Sequence, residues 1–284
     1  YHLFLSIIMG NQRIIVTGGA GFIGSNFIIH MVKKYPEYSF VNIDKLTYSG
    51  NENNLAGLNE KKNYQFIKED IRNYESIKKI IQRGDIIVNF AAESHVDNSI
   101  KEPQIFVETN ILGTHSLLEA ARERDARLFV QISTDEVYGS LDFEDDSSKE
   151  NDILNPSSPY SASKAASEMI CLGSIKTFHQ PIIITRSSNN FGPYQFPEKV
   201  IPLFATNLIE GRKVPVYGAG KNVRDWIYVL DNCEAIDFVI HNGKSGEIYN
   251  IGGGNEVANI DLTKIILKNM GYDDSFIQYV EDRK

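Results

Sequence analysis

The sequence predicts an α/β fold, in which helices cover both faces of a doubly wound parallel sheet. Short apolar runs alternate with longer helical patterns through most of the first 187 of 284 residues. The runs lack polar alternation, as expected for strands buried on both faces. A glycine-rich turn follows the first run and opens a helical segment, an order typical of parallel βαβ units. Beyond residue 187, segments rich in glycine and proline predict a smaller C-terminal α/β domain.

Six strands and four helices are expected in the first domain. The strands are predicted at residues 13–17, 39–43, 64–68, 86–90, 128–132 and 181–185. The helices are predicted at residues 22–34, 76–82, 104–124 and 162–178. Residues 9–187 are therefore expected to form one domain, rejoined by about residues 225–242, and residues 188–284 a second. Met9 is the expected natural start, because residues 1–8 have no cationic segment or cleavage site of a signal peptide.

Composition excludes several classes of protein. Apolar residues make up 42% and charged residues 23%, as in an ordinary globular protein and unlike a disordered one. The net charge of −8 argues against nucleic acid as the partner. No apolar run approaches the ~20 residues of a membrane span, so no membrane contact and a cytoplasmic location are expected. Cys171 and Cys233, without a Cys/His cluster, predict reduced thiols and no metal site.

The turn after the first strand carries a dinucleotide-binding pattern. Gly19-x-Gly21-x-x-Gly24 lies between a predicted strand and a predicted helix. Such glycines permit a tight turn and let a pyrophosphate approach the backbone at the helix N-terminus. Asp44 follows about 20 residues later, where an acid suits the ribose hydroxyls of NAD and repels a 2′-phosphate. The sequence therefore predicts a Rossmann domain that binds NAD, with a purely structural turn as the alternative.

A second pattern supplies groups for proton transfer. Tyr160 and Lys164 are four residues apart, on one face of a helix. A nearby ammonium favours the phenolate, so we expect the pKa of Tyr160 to fall and the phenol to accept a hydroxyl proton. Ser133 and Thr134 end the preceding strand, at the edge where open α/β sheets bind ligands. With NAD, these groups predict oxidation of an alcohol, although a Tyr/Lys pair alone is more often simply surface.

These motifs resemble the extended short-chain dehydrogenase/reductase family. Residues 91–97, 133–139, 188–194 and 224–226 are similar to the dTDP-glucose 4,6-dehydratases within it. The similarity covers nearly everything from residue 13 to residue 284. It implies a lyase (hydro-lyase) with tightly held NAD, acting on the nucleotide sugar dTDP-glucose in deoxysugar biosynthesis, such as that of rhamnose. It also implies a homodimer, through residues 104–124 and 162–178.

Asp135 and Glu136 determine which reaction the resemblance implies. Related 4-epimerases carry no acid pair there, and related decarboxylases usually have a hydroxyl residue in place of Asp135. Eliminating water across C5–C6 needs a base and an acid, and adjacent carboxyls of different pKa can divide those roles. The implied cycle begins with oxidation at C4, in which Tyr160 is the base, assisted by Thr134 and Lys164. Glu136 then takes the C5 proton, Asp135 protonates the leaving C6 hydroxyl, and hydride returns to C6.

The family pattern also implies two sets of binding residues. Those implied for NAD are Gly18, Gly21, Phe22, Ile23, Gly24, Asp44, Lys45, Thr47, Asp70, Ile71, Ala91, Ala92, Glu93, Thr109, Tyr160, Lys164 and Asn190. Those implied for the nucleotide sugar are Ser94, Thr134, Asn189, Lys199, Val214, Tyr217, Arg224 and Asn259. Lys199 and Arg224 are assigned to the diphosphate, because cationic side chains pair well with phosphate oxygens.

Three alternatives stay open. A UDP-glucose 4,6-dehydratase fits the same catalytic motifs, because these do not contact the base. A 4-epimerase and a non-catalytic NAD-sensing regulator that kept the fold are the others. The resembling family has a segment Asp-Arg-x-Gly-His-Asp-x-Arg-Tyr that contacts the diphosphate. Residues 282–284 stop inside that motif, so the second domain is expected to be incomplete in this chain.

Overall fold

A parallel sheet of seven strands organises the computed structural model, which describes residues 12–140 and 147–281. The strands along the chain are β1 (Arg13–Thr17), β2 (Ser39–Asp44), β3 (Tyr64–Lys68), β4 (Ile86–Asn89), β5 (Leu128–Thr134), β6 (Ile182–Ser187), β7 (Asn189–Phe191), β8 (Val214–Tyr217), β9 (Val223–Tyr228), β10 (Ile248–Ile251), β11 (Glu256–Ala258) and β12 (Ile277–Val280). The large sheet has the order β10-β6-β5-β4-β1-β2-β3, and all its neighbouring strands are parallel. The predicted doubly wound sheet is confirmed. The expected start at Met9 and the end at residues 282–284 lie outside the described residues.

The helices connect these strands. The α-helices are α1 (Phe22–Lys34), α2 (Tyr74–Ile80), α3 (Val96–Lys101), α4 (Pro103–Phe106), α5 (Thr114–Glu123), α6 (Pro159–Phe178), α7 (Val200–Ile209), α8 (Val229–Asn242) and α9 (Asn259–Met270). Short 3₁₀ turns occupy Glu52–Leu58, Asp135–Tyr138 and Asp274–Phe276. In the part of the chain that the structure describes, no helix is both long and apolar enough to cross a membrane.

Helices cover both faces of the large sheet. Along β1, Ile14 and Val16 belong to one core cluster and Ile15 to the other, and all three are fully buried. Side chains of α1 and α8 fill the first cluster, and those of α2, α5 and α6 fill the second. The chain thus returns to the large sheet late in the sequence, through α8 and then through β10 at the sheet edge.

The predicted helix at residues 104–124 is wrong as a single α-helix. Val107–Gly113 is π-helical, with α4 before it and α5 after it. Hydrophobic spacing does not reveal such a widened turn, because the flanking residues keep their helical period. Single-turn π segments are frequent at functional sites. Here the segment carries Thr109, which lines the cavity described below, and Asn110, whose side chain accepts a hydrogen bond from Glu93 N.

A smaller unit follows the large sheet. It contains the three-stranded sheet β11-β9-β7 and the parallel pair β12-β8. Phe204 and Leu208 of α7 pack with Leu267 of α9 and with Val214 and Val216 of β8 in a separate core cluster. The smaller C-terminal α/β unit predicted from the glycine- and proline-rich segments is therefore present.

Candidate active site

A cavity of about 1160 Å³ lies at the carboxyl ends of the parallel strands, against the C-terminal unit. This edge is where ligands bind in open α/β sheets. Its lining reaches from Gly18 after β1, through Thr134 at the end of β5, to Tyr217 on β8 and Asn259 on α9. A drug-sized ligand occupies a pocket of about 300–1,000 Å³. The cavity therefore has room for more than one small ligand.

The glycine loop after β1 leaves its backbone open to the cavity. Gly18 has a φ of +71°, and a Cβ there would lie 2.6 Å from the backbone nitrogen of Ala91. α1 begins directly at Phe22, with Gly21 as an N-cap that has no side chain to cover the first amides. The N–H groups of residues 22–24 therefore have no acceptor within the helix. Donors of this kind, at the positive end of a helix dipole, suit a pyrophosphate.

Asp44 holds its carboxylate beside that loop. It ends β2, and its two oxygens accept hydrogen bonds from Ala20 N, at 2.9 Å, and Leu46 N, at 2.8 Å. Burial raises the pKa of Asp44, and these two N–H groups act in the opposite direction. The carboxylate is thus fixed by the backbone and faces the cavity. Its lone pairs beyond these two bonds can accept from sugar hydroxyls.

Asp70 is anchored by two cations at the same end of the cavity. Its carboxylate pairs with Lys45 at 3.1 Å and with Arg72 at 2.8 Å. Burial acts against ionisation, yet the hydrogen bonds from Arg72 and Lys45 prevail and lower the pKa of Asp70 to about 2. Asn73, and not Asp70, caps α2.

Two buried hydroxyls on the cavity wall point to a polar ligand. The Oγ1 atom of Thr109 and the Oγ atom of Ser133 are buried and have no hydrogen-bond partner within the described residues. Leaving such a group unsatisfied costs about 1–3 kcal/mol. Together with the open glycine loop and the fixed Asp44, these hydroxyls fit a bound dinucleotide. No group of His, Cys, Asp and Glu side chains among the described residues is arranged to hold a metal ion.

Tyr160 and Lys164 lie in the first turns of α6. Ser158 caps this helix with a capping box, in which its hydroxyl accepts from Ser161 N at 3.0 Å. Lys164 is buried, and its Nζ donates to the carbonyl of Ile132 on β5 at 2.6 Å. Burial lowers the pKa of Lys164 to about 8, while the negative charge of Glu168 acts in the opposite direction. Lys164 is therefore mostly an ammonium at neutral pH.

The expectation that Lys164 lowers the pKa of Tyr160 is wrong for this arrangement. Burial raises the pKa of Tyr160, and the charges of Glu136 and Asp135 raise it further. Only the hydroxyl of Thr134 acts in the lowering direction. The reason is geometric, because the ammonium of Lys164 is engaged by a carbonyl of β5. A phenol in this position needs additional positive charge before it can act as a base.

Asp135 and Glu136 form the 3₁₀ turn that follows β5. Thr134 caps the turn, and its Oγ1 accepts from Glu136 N at 3.2 Å and donates to Asp135 Oδ1 at 3.2 Å. Glu136 lines the cavity, whereas Asp135 lies behind Thr134 and does not line it. Burial, and then the charge of Glu136, raise the pKa of Asp135 to about 6. The pair therefore combines a carboxyl on the cavity wall with one that holds a proton close to neutral pH.

The remaining predicted residues are also brought together, with one exception. Every residue implied for NAD lines the cavity, as do Ser94, Asn189, Lys199, Tyr217, Arg224 and Asn259. Lys199 Nζ donates to Ser94 O at 3.1 Å, which joins two of the expected substrate residues. The prediction for Val214 is wrong, because its side chain is fully buried in the core between α7 and α9. Pro215, Val216 and Tyr217 face the cavity from that strand instead.

Asn110 is a residue of the site that sequence reasoning missed. Its amide accepts from Glu93 N at 2.8 Å and donates to Glu93 O at 3.0 Å and to Ser163 Oγ at 2.8 Å. Ser163 Oγ donates in turn to Tyr160 O at 2.7 Å. Asn110 thus joins the loop after β4 to the helix that carries Tyr160. Asn110 follows Glu108 and Thr109, so no isolated polar residue in an apolar run marked it in the sequence.

Comparison with known proteins places these features among nucleotide-sugar enzymes. Residues 15–282 match the family described as GDP-mannose 4,6 dehydratase. The chain is 48% identical to the low-salt glycan biosynthesis protein Agl12 of Haloferax volcanii, over 95% of this chain and 86% of that protein. It is 46% identical to the dTDP-glucose 4,6-dehydratase of Streptomyces niveus, over 96% of this chain and 82% of that protein.

Solved structures give the same picture. The dTDP-glucose 4,6-dehydratase DesIV of Streptomyces venezuelae, with NAD and TYD bound, matches with a TM-score of 0.93 and 45% identity over 96% of this chain and 85% of that chain. The UDP-glucose 4-epimerase of Thermotoga maritima matches with a TM-score of 0.87 but only 29% identity, over 96% of this chain and 87% of that chain. The fold is thus shared more widely than the sequence.

Proposed function

The chain belongs to the GDP-mannose 4,6 dehydratase family, and from this premise we propose that it dehydrates dTDP-glucose to dTDP-4-dehydro-6-deoxy-glucose with recycled NAD. The observation that carries this proposal is the adjacent pair Asp135 and Glu136 after β5, of which Glu136 lines the same cavity as Tyr160 and Lys164. Of these four residues, a 4-epimerase that uses NAD needs only Tyr160 and Lys164. Two carboxyls in different environments supply the further acid and base that elimination of water requires.

The chain's own residues account for binding of the cofactor. The amides of residues 22–24 would receive the pyrophosphate, and Asp44 the ribose hydroxyls. The buried hydroxyls of Thr109 and Ser133 have no hydrogen-bond partner among residues 12–140 and 147–281, and they would bond to the ligand at this wall. When bound, NAD supplies the reversible redox chemistry that the protein side chains lack. The region of residues 9–187, rejoined by α8, is therefore our proposed NAD-binding domain, and residues 188–284 our proposed sugar-nucleotide domain.

Oxidation at C4 begins with proton removal by Tyr160. The phenol is buried, which raises its pKa, and the hydroxyl of Thr134 acts in the opposite direction. Lys164 holds its ammonium against the Ile132 carbonyl of β5 in the same part of the site. The cationic form of the cofactor adds positive charge at this wall. The resulting ketone at C4 makes the C5 hydrogen acidic, which prepares the second step.

Elimination then uses the two carboxyls. Glu136, on the cavity wall, takes the proton from C5. Asp135, whose pKa is raised to about 6, supplies the proton for the departing C6 hydroxyl, which it reaches through the hydroxyl of Thr134 on the cavity wall. The C5–H and C6–O bonds break, a C5–C6 double bond forms, and water leaves. The hydride removed from C4 is returned to C6, and a proton is added at C5. These additions complete the 4-keto-6-deoxy sugar.

The diphosphate and the base would bind toward the C-terminal unit. Lys199 and Arg224 are cations on that wall, and Pro215, Val216 and Tyr217 form an apolar edge next to Asn259. Such a surface fits a pyrimidine base better than it fits a further charged group. We therefore propose dTDP-glucose as the substrate, with UDP-glucose as the nearest competitor because neither the acid pair nor Tyr160 contacts the base.

A comparison of kcat/KM for dTDP-glucose, UDP-glucose and GDP-mannose tests the substrate directly. We expect dTDP-glucose to give the highest value, with a 4-keto-6-deoxy product. A higher value for UDP-glucose would reject the proposed base preference while leaving the dehydratase chemistry intact. Interconversion of C4 epimers without loss of water would reject the dehydratase itself.

We also propose a homodimer formed through the helical segment from α4 to α5 together with α6. Val107 and Leu112 on the first element and Met169 on the second are large apolar side chains that are about half exposed. These elements pack side by side on the second face of the sheet, so a symmetry-related copy could cover both. Light scattering is expected to give twice the monomer mass, and Leu112→Glu to halve it. The mass of a monomer for both the wild-type protein and Leu112→Glu would contradict the proposal.

The two cysteines bear on the cell compartment in which the enzyme works. Cys171 and Cys233 are both free and buried, which agrees with a reducing compartment. We propose a cytoplasmic location and a place in deoxysugar biosynthesis, of which rhamnose synthesis is one example. The location can be tested by separating the cell into fractions and assaying each for formation of dTDP-4-keto-6-deoxy-glucose. Activity found only outside the cytoplasm would contradict the proposed location.

A further inference from the structure

A buried ion pair lies behind the active site and is not explained by the proposed chemistry. Glu168 is fully buried on α6, one turn after Lys164, and Arg186 is 3% exposed on β6. Arg186 Nη2 donates to Glu168 Oε2 at 2.7 Å, and Nε donates to Oε1 at 3.2 Å. Neither residue lines the cavity. Burying two ions costs several kcal/mol each, so such a pair is weak evidence of a purely stabilising role.

Tyr138 connects this pair to the 3₁₀ turn Asp135–Tyr138, called the acidic turn below. Arg186 Nη1 donates to Tyr138 Oη at 2.6 Å, and the guanidinium carbon lies 4.7 Å from the centre of the Tyr138 ring. The same hydroxyl donates to Asn250 Oδ1 on β10 at 2.7 Å. Tyr138 is the last residue of the 3₁₀ turn that begins with Asp135 and Glu136. The turn is thus tied at its far end to β6 and β10.

The ring of Tyr138 makes a further contact with the helix. Tyr138 packs with Val137, Ala165 and Leu154 in a small buried cluster, and Ala165 follows Lys164 directly. The neighbouring carbonyl of Val137 accepts from Asn155 N at 3.0 Å. The acidic turn is therefore held in three ways: by the Val137 carbonyl, by the Tyr138 ring against α6, and by the Tyr138 hydroxyl bonds to Arg186 and Asn250. Of these three, the hydroxyl bonds are the ones that involve the buried ion pair.

We propose that Tyr138 is a positioning residue for Asp135 and Glu136, and that the Glu168–Arg186 pair is its anchor on the helix carrying Tyr160 and Lys164. This inference rests on the proposed dehydratase function. Its consequence is a separation of the two chemical steps. Oxidation at C4 depends on Tyr160 and Lys164 of α6 and on Thr134 at the end of β5, whereas elimination also depends on where the acidic turn lies. Loosening Tyr138 should therefore slow elimination and spare oxidation.

Tyr138→Phe tests the proposal with little change in shape. The variant removes both hydroxyl bonds and leaves the ring, its packing and the Glu168–Arg186 pair in place. A misplacement of about 1 Å costs up to about 100-fold in rate, so we expect the elimination rate to fall about 10-fold or more. In a single turnover of the full-length protein with NAD and dTDP-glucose, reduced cofactor should then accumulate. The KM for dTDP-glucose should stay within about twofold of wild type, because the substrate contacts are untouched.

Tyr249→Phe is the matched control. Its hydroxyl accepts a hydrogen bond from Lys244 N at 2.8 Å, and Tyr249 precedes Asn250 on β10 without lining the cavity. We expect this variant to keep wild-type rates for both steps. Unchanged elimination in Tyr138→Phe, or an equal slowing of oxidation and elimination, would overturn the proposal. Wild-type protein that never dehydrates dTDP-glucose would instead reject the proposed function.

Asn250→Ala provides a second variant if Tyr138→Phe does not fold. It removes the acceptor of the Tyr138 hydroxyl and leaves Arg186 and the aromatic ring unchanged. A smaller slowing, again confined to elimination, is expected, together with slower exchange of the C5 hydrogen with deuterated solvent. Normal C5 exchange with normal turnover in a folded Asn250→Ala protein would show that the turn needs no such anchor, and the proposal would fail.

Discussion

Tyr160→Phe is expected to lower kcat for dTDP-glucose dehydration by about 10²–10⁴-fold, the usual contribution of a positioned acid–base group. The hydroxyl lost in this variant is the one that takes the proton from the 4-hydroxyl. The ring remains, so its burial and its edge contact with Phe106, at 6.4 Å between ring centres, should persist. KM should therefore change little. Steady-state formation of the 4-keto-6-deoxy product measures both constants.

A control separates this loss from a general effect of removing a tyrosine hydroxyl. Tyr249→Phe lies outside the cavity and is expected to retain wild-type kcat. NAD content of the purified Tyr160→Phe protein should also match wild type, because the glycine loop and Asp44 are untouched. A Tyr160→Phe protein that binds NAD and turns over within about tenfold of wild type would remove Tyr160 from the mechanism.

Asp135→Asn is expected to produce the second large loss, about 10²-fold or more in kcat, with oxidation at C4 preserved. An amide cannot donate the proton that the departing C6 hydroxyl needs. Reduced cofactor should accumulate during a single turnover of this variant. An enzyme that only epimerises C4 would barely respond to the substitution. Turnover at wild-type rate by Asp135→Asn would therefore reject the assignment of the acid.

The same substitution should alter the pH dependence of stability. Burial first, and then the charge of Glu136, raise the pKa of Asp135 from its ordinary value of 3.8 to about 6 in the folded protein. A raised folded-state pKa means that stability is lost as pH rises from about 4 to about 6, because the unfolded chain ionises first. Asp135→Asn should lack this loss. Thermal unfolding across this range would detect it, and identical pH profiles for both proteins would contradict it.

Much of the fold and of the NAD wall could be predicted from sequence, because both rest on local patterns. Strands buried on both faces appear as unbroken apolar runs, and β1 and α1 have the bounds expected for them. The glycine loop and Asp44 are joined by α1 and β2, so their spacing in sequence determines their spacing in the fold. The acidic turn was also visible, since Asp135 and Glu136 follow directly after β5.

The features that sequence missed depend on distant contacts or on small changes of backbone. β10 is only four residues long and joins the edge of the sheet through pairing with β6. The side chain of Val214 faces inward because α7 and α9 cover it. The direction of the Tyr160 pKa shift depends on how fully the fold buries the phenol, and then on the charges of Glu136 and Asp135 beside it. The tie from Arg186 to Tyr138 spans 48 residues and has no local signature.

Transfer of an isotope within the sugar tests the central claim most directly. The protein would be incubated with NAD and dTDP-glucose carrying deuterium at C4, and the product analysed by mass spectrometry and NMR. The proposed sequence of oxidation, elimination and return predicts dTDP-4-dehydro-6-deoxy-glucose with the deuterium at C6 and no net consumption of cofactor. Deuterium retained at C4, or product of unchanged mass in which only the C4 configuration has altered, would contradict the proposed dehydration.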